Sequence, residues 1–229
     1  ILETQGHTFS TSSDTEVIVH AYEAYGYDCI RLFNGMFAFA IYDMEKRLFF
    51  LGRDRCGIKP LHYTLLSDGT FLFASEIKSI LQYKRVPRKL NSTALHCNIN
   101  LRYLPGDITM FKGIYRLSPA HFLVYKDHGI EKRQYWHPAF DSCPLDENAL
   151  IQKIQTVFCD AVERHMISDV PIGILLSGGI DSSSIVAVAS KLSDVPLQTF
   201  CMGFGNKNDE TTEAQETADY FGTSHHTLI

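Results

Sequence analysis

Residues 172–192 constrain the fold of this chain more than any other stretch. Ile172-Gly173-Ile174-Leu175-Leu176 is a short, almost wholly apolar run, the pattern of a strand buried in a parallel sheet. Ser177-Gly178-Gly179-Ile180-Asp181-Ser182 follows directly. Ser183 to Leu192 then continues as a helix with Ile185, Val186 and Val188 as apolar positions. Strand, glycine bend and helix in that order point to an α/β sheet. The bend falls at the carboxyl end of the strand, where open sheets of this kind bind ligands.

The chemistry of the bend favours an anion. Backbone N–H groups at a helix start have no intrahelical partner, and the helix dipole adds partial positive charge there. Two glycines let the main chain approach a phosphate with no Cβ in the way. Ser177, Ser182 and Ser183 offer hydroxyl donors. Asp181 would repel a bare phosphate, so an acid at this point is best explained by Mg²⁺ held against the phosphates. The spacing is neither a Walker A loop, for which Lys191 lies too far along, nor a dinucleotide fingerprint. A turn with glycines for tightness alone is the plain alternative; it suits Gly-Gly better than it suits the whole hexapeptide.

Leu197 to Gly203 reads as a second strand beside the first, which would bring Met202 and Gly203 to the adenine of a bound nucleotide; an ordinary core strand explains it equally well. Ala214 to Phe221 reads as a helix closed by Gly222. His225-His226 is a poor metal pair, because adjacent strand residues face opposite ways.

Up to about residue 125 the chain reads instead as short strands and turns. Ser13 and Glu16 form a capping-box pattern ahead of a helix carrying Val17, Ile18, Ala21, Tyr22 and Tyr25, which Gly26 ends. Gly35 to Tyr42 suits a strand buried on both faces, paired with Arg47–Leu51 across a polar turn. Leu61–Leu66 and Thr70–Ala74 form a hairpin about Ser67-Asp68-Gly69. Ser75 to Tyr83 reads as a short helix capped by Ser75, and Phe122–Tyr125 as a further strand. Arg53, Asp54 and Lys59 form a charged cluster in a tight loop, read as structural. Residues 129–148, polar and broken by Gly129, Pro138 and Pro144, are the expected linker between domains at 1–128 and 149–229. Beyond it, Leu150, Ile151, Ile154, Val157, Phe158, Ala161, Val162 and His165 keep to one helical face.

Composition narrows the function classes. Hydrophobic residues make up 45% of the 229 and charged residues 21%, which argues against a disordered chain. A formal net charge of -5 disfavours whole-surface attraction to nucleic acid, and no run of about 20 apolar residues exists to span a bilayer. Cys29, Cys56, Cys97, Cys143, Cys159 and Cys201 show no zinc-type spacing and read as reduced thiols of a cytoplasmic protein. The start at Ile1 is neither a signal peptide nor an initiator methionine, so the chain reads as an internal piece.

The bend Ser177–Ser182 resembles the PP-loop of ATP pyrophosphatases. Further segments occur in order: Ser12–Val17, Leu32–Ala40, Gly52–Leu61, Phe73–Lys78, Asn100–Gly106, Ser168–Gly173 and Phe221–His226. Together they resemble glutamine-hydrolysing asparagine synthetase across nearly the whole chain. The resemblance implies an α+β part, an incomplete N-terminal-nucleophile-hydrolase-like αββα sandwich of the class II glutamine amidotransferase type. An α/β part follows, the start of a doubly wound parallel-sheet PP-loop synthetase domain. It implies ATP and Mg²⁺ as cofactors, glutamine and aspartate as substrates, and asparagine made through β-aspartyl-AMP. A homodimer is the one assembly entertained. By the same resemblance Asp14 binds the amino group of glutamine, though an acid in a first helical turn also serves the helix dipole. Leu176 and Met202 line the nucleotide pocket. Ser177, Gly178, Gly179, Asp181 and Ser182 match the pyrophosphate and Mg²⁺ site, with Asp181 on the metal.

The family's nucleophile is an N-terminal cysteine, whereas position 1 here is Ile1, so no catalytic residue is assigned within this chain and alone it is expected to be inactive. Ala120 stands where the family often has glycine, with a minor strain expected there. Related carboxylate-activating enzymes, such as a β-lactam synthetase, and a non-catalytic binding module remain the alternatives.

Overall fold

The structure, a computed structural model, describes residues 1–140, 146–206 and 209–229. It divides into two compact units, Ile1–Phe140 and Asp141–Ile229.

In the first unit α1 (Asp14–Tyr25) leads into β1 (Ala38–Asp43) and β2 (Leu48–Arg53), then β3 (His62–Leu65) and β4 (Phe71–Ala74). The one-turn α2 (Ile77–Ile80), α3 (Ser92–Leu101), β5 (Tyr115–Arg116), β6 (His121–Lys126) and β7 (Gly129–Gln134) complete it. Two antiparallel sheets result, ordered β1-β2-β6-β7 and β4-β3-β5. Strand alternation sends successive residues of β2 to opposite faces. Leu48 and Phe50 pack with Ala21 and Tyr22 of α1, while Phe49 and Leu51 pack with Tyr63, Phe71 and Phe73 of the second sheet. Beyond that sheet, Ile77 and Ile80 of α2 meet Leu72 and Ala74. The unit is therefore layered helix, sheet, sheet, helix.

A buried charged loop joins the two sheets. The Asp54 carboxylate, 1% exposed, accepts the amides of Cys56, Ile58 and Lys59. The Arg53 guanidinium donates to the carbonyls of Gly57, Lys59 and Leu117. The Tyr135 hydroxyl donates to the Arg53 carbonyl at 2.9 Å, and burial pushes that phenol up to about 12, so it stays a donor. The structural reading of this cluster holds for Arg53 and Asp54; Lys59 contributes its backbone.

Several sequence expectations change. β1 is an edge strand with Ala40 and Tyr42 exposed, not one buried on both faces, because the described residues place a neighbour only at β2. The Ser13 hydroxyl caps α1 through the Thr15 amide, but Glu16 turns upstream and accepts from the Ser10 and Thr11 amides, both at 2.7 Å. The helix expected over Ser75–Tyr83 shrinks to α2, and no side chain caps it. Residues 129–134 are not linker: they pair along β6 as β7, and the first compact unit runs on to Phe140. Of that expected linker, residues 141–145, with Cys143 and Pro144, lie outside the described residues.

In the second unit α4 (Glu147–His165), β8 (Gly173–Leu175), α5 (Ile180–Leu192), β9 (Gln198–Met202), α6 (Thr211–Phe221) and β10 (Ser224–Leu228) build a parallel sheet ordered β10-β9-β8. Ile174 touches both core clusters of this unit, one with Phe158 and Val162 of α4 and the other with Val186, Ala214 and Ala218 of α5 and α6. All three helices thus cover the Ile174 face. Leu150, Ile151, Ile154 and Val157 of the α4 stripe are exposed. No helix among the described residues is long and apolar enough to cross a membrane.

Two measurements test this description. Ala120 adopts φ 57 and is 3% exposed. Left-handed backbone costs a residue with a Cβ roughly 1–2 kcal/mol. Against this stand a buried methyl worth about 0.8 kcal/mol and a glycine entropy cost of about 0.5–1 kcal/mol. Urea denaturation is expected to place Ala120→Gly within about 0.5 kcal/mol of the unaltered protein, whereas Ala94→Gly, buried in α3, loses about 1.5–2 kcal/mol. Second, the amide of Ser10 and the hydroxyl of Thr11 hold the Glu16 carboxyl down at about 2, from an ordinary 4.5. A depressed folded-state pKa stabilises above the unfolded value and fades as pH falls through the folded one. The stability gap between the unaltered protein and Glu16→Gln is therefore expected at pH 7 and closes between about pH 4.5 and pH 2.

Candidate functional site

The bend after β8 is wired by its own serines. The Ser182 hydroxyl accepts the Ser177 amide at 3.1 Å and has the carbonyls of Ser177 and Gly179 at the same distance. The Ser177 hydroxyl lies 3.0 Å from that of Ser182 and accepts the Gly179 amide at 3.2 Å. The Ser183 hydroxyl donates to the Gly179 carbonyl. In this structure these hydroxyls are engaged with one another and with the backbone of the bend.

The backbone amides are what the bend presents. Gly179 is the N-cap residue of α5, and no side chain caps that helix, in contrast to Ser13, Asn91 and Asp146 at α1, α3 and α4. The Gly178 amide donates to a Glu210 carboxylate oxygen at 3.1 Å, so it points toward a place where negative charge already sits. Asp181 is exposed in the first turn of α5. Close approach explains Gly178: a Cβ there would lie 2.9 Å from Glu213 Cβ and 3.3 Å from Glu210 Cβ.

Beside the bend, at the carboxyl ends of β8 and β9, a cavity of about 550 Å³ is lined by Leu175, Ser177, Phe200, Met202, Phe204 and Glu210, among others. The structure places the expected nucleotide residues unevenly around it. Ser177 and Met202 line it, with Met202 65% exposed. Leu176 borders it but buries its side chain at 2% exposure in the core, while Leu175, one residue earlier, is 83% exposed on the open face. Gly203 is packed behind Asp209 and Thr211, its amide donating to the Leu228 carbonyl. Asp209 caps the turn that follows, accepting from the Phe204 and Asn206 amides. Leu175, Phe200, Phe204, Asp209 and Glu210 were missed. Strand alternation marks the first two, since Phe200 lies two residues before Met202 and pairs in register with Leu175.

His225 and His226 part as expected: one reaches Thr199, while the other reaches Gln198 and stacks on Phe200. In the first unit Asp14 is exposed at the start of α1, its carboxylate 3.4 Å from the Thr15 hydroxyl. A cavity of about 530 Å³ adjoins it, lined by Phe9, Thr11, Ser12, Ser13, Val17 and Phe33 with others, Asp14 not being among them.

Comparison with known proteins bears on both units. Residues 1–136 match the glutamine amidotransferase domain family, and residues 153–229 match asparagine synthase. A protein provisionally named asparagine synthetase (glutamine-hydrolyzing) 2 from Methanocaldococcus jannaschii is 39% identical over 222 residues, 94% of this chain and 43% of that protein. Asparagine synthetase (glutamine-hydrolyzing) 3 of Bacillus subtilis is 35% identical over 245 residues, 100% of this chain and 40% of its own. Amidase chyE of Penicillium rubens is 32% identical over 241 residues, 95% of this chain and 35% of its own. The chain spans less than half the length of each.

The bend yields a direct test. Gly178→Ala forces the bend away from α6, a strain of roughly 1–3 kcal/mol. If the bend takes the phosphates of a nucleotide, titration with ATP and Mg²⁺ shows affinity lost at least about tenfold relative to the unaltered chain, the loss of one charge-assisted hydrogen bond. Unchanged affinity would detach the Gly178 amide from any anion.

Proposed function

The chain belongs to the glutamine amidotransferase domain family, its second unit matching asparagine synthase, and on that premise we propose that it serves ATP-dependent transfer of the glutamine amide nitrogen to aspartate. The carrying observation is the bend: an uncapped helix start and an amide already donating to a carboxylate, set against a cavity of about 550 Å³ at the carboxyl ends of parallel strands.

Those residues fit a nucleotide triphosphate. The amides of Gly178 and of the first turn of α5 would take the phosphates, and Met202, Phe200 and Leu175 offer apolar surface to a base. Asp181 would hold Mg²⁺, an oxygen ligand suited to a hard cation. When bound, the ion would neutralise phosphate charge that Asp181 otherwise repels. Aspartate is activated as β-aspartyl-AMP with release of pyrophosphate, and ammonia displaces AMP to give asparagine. Asp14 offers a carboxylate to the ammonium of glutamine. None of this chain's residues is assigned the part of glutaminase nucleophile.

The layered first unit supports an N-terminal-nucleophile-hydrolase-like αββα sandwich. The parallel sheet and bend of the second support a PP-loop domain, of which the described residues supply helices to one sheet face. A second reading is a related carboxylate-activating amidotransferase with a different acceptor acid; one relative of the sequence bears another name, amidase chyE. Pyrophosphate exchange into ATP by the protein at its natural length separates them. Exchange dependent on aspartate is expected, and at least about tenfold weaker in Asp181→Asn. Exchange supported by a different acid, with aspartate inert, would select the second reading.

A further inference from the structure

A cluster in the first unit lies outside everything assigned above. His7 Nδ1 sits 3.2 Å from His20 Nδ1, His20 Nδ1 sits 3.0 Å from Glu23 Oε2, and His7 Nδ1 sits 3.8 Å from the same oxygen. Among the described residues it is the one group of three metal-competent side chains whose donor atoms converge. We propose that His7, His20 and Glu23 bind a divalent transition-metal ion, Zn²⁺ foremost.

A neutral imidazole carries one N–H, so a proton on His20 Nδ1 can serve both the Glu23 oxygen and His7 Nδ1. A cation replaces that proton, and all three atoms then act as lone-pair donors. The dimensions agree with zinc. A point equidistant from atoms separated by 3.2, 3.0 and 3.8 Å lies about 2.0 Å from each, matching zinc bonds to imidazole and carboxylate of about 2.0–2.2 Å. Two nitrogens and one oxygen are the ligand types zinc accepts, with a fourth position left to water. Glu23 is 57% exposed, so water can reach it.

The surroundings fit as well. Metal on His20 Nδ1 leaves Nε2–H to face a carboxylate, and Glu16 Oε1 lies 3.7 Å away. Glu16 is itself fixed by the Ser10 and Thr11 amides. The Phe9 ring meets His20 edge-on at 4.9 Å. His20 and Glu23 stand one turn apart on α1, whereas His7 comes from the preceding segment, 13 residues earlier. The ion would pin that segment to the helix beside the cavity lined by Phe9, Thr11 and Ser12.

The test uses the full chain, stripped with chelator and titrated with Zn²⁺ by calorimetry, and with Co²⁺ by absorption. One ion per chain is expected, with visible Co²⁺ bands and no thiolate charge-transfer band, which separates this site from the exposed Cys56 and Cys159. His7→Gln and His20→Gln are expected to abolish the one-to-one isotherm, with unchanged circular dichroism of the metal-free protein. Glu23→Gln, at an exposed position, is expected to weaken it at least about tenfold while leaving the fold intact. The proposal is overturned by failure of the unaltered chain to bind, by binding that survives Glu23→Gln undiminished, or by a thiolate spectrum.

Discussion

The first unit depends on how two adjacent charges, Arg53 and Asp54, are buried at the end of β2. Removing a carboxylate or a guanidinium from water costs several kcal/mol unless the fold replaces the lost hydration. Here each charge is solvated by main chain. Asp54 takes three amides of its own loop, and Arg53 gives to three carbonyls, one of them Leu117 from a distant segment. The Asp54 backbone works too: its amide donates to Phe37 and its carbonyl accepts from Ala120. Through these bonds the chain can leave one sheet, cross to Leu61 and enter the other with the buried Asp54 carboxylate and the Arg53 guanidinium both partnered. The left-handed backbone of Ala120 belongs to the same junction, its amide held by Asp54 and its carbonyl by Tyr135. The junction over-determines that strained residue, and such support is how strain persists.

In the second unit the same economy of partners leaves backbone amides of the bend open. The serines satisfy one another and two carbonyls of the bend, which fixes the loop without using the first amides of α5. Glu210 takes the Gly178 amide, and it is also the N-cap residue of α6. An anion arriving at that amide must displace a group at the start of a second helix. The bend and the start of α6 are thereby linked through one hydrogen bond, in a place where Gly178 leaves no Cβ between loop and helix.

Legibility followed the range of the interaction. The strand, bend and helix at 173–192 could be read because strand apolarity, glycine and helical period are local signals. The hairpin at 62–74 was legible for the same reason, through Asp68-Gly69. α3 was not foreseen: its buried residue is Ala94 alone, so no apolar stripe announced it, and Asn91 as cap was the one available clue. β7 reads as linker in the sequence because the stretch is polar and broken by Gly129, Pro138 and Pro144, and Glu131, Lys132 and Arg133 add to that polarity. Charges of this kind suit an outer strand, whose free edge they protect from pairing. In the site, the residue types were legible but their directions were not. Leu176 and Leu175 differ only in strand phase, and the contacts of Glu210 and Asp209 are set by where α6 begins.

The largest departures share one cause. Ala40 and Tyr42 in β1 and Leu150, Ile151, Ile154 and Val157 in α4 belong to patterns that elsewhere mean burial, yet they stay open among the described residues. Propensity cannot account for this, because both segments form the elements their patterns specify. What is lacking is a covering layer, and apolar surface left in water forgoes about 25 cal/mol per Å² of stabilisation. An apolar pattern therefore states what a residue requires of its surroundings and not where it lies. By that measure the core of β2, flanked on both faces by α1 and the second sheet, is complete. The α4 stripe and the exposed positions Ala40 and Tyr42 of β1 remain surfaces whose stabilisation the described contacts do not supply.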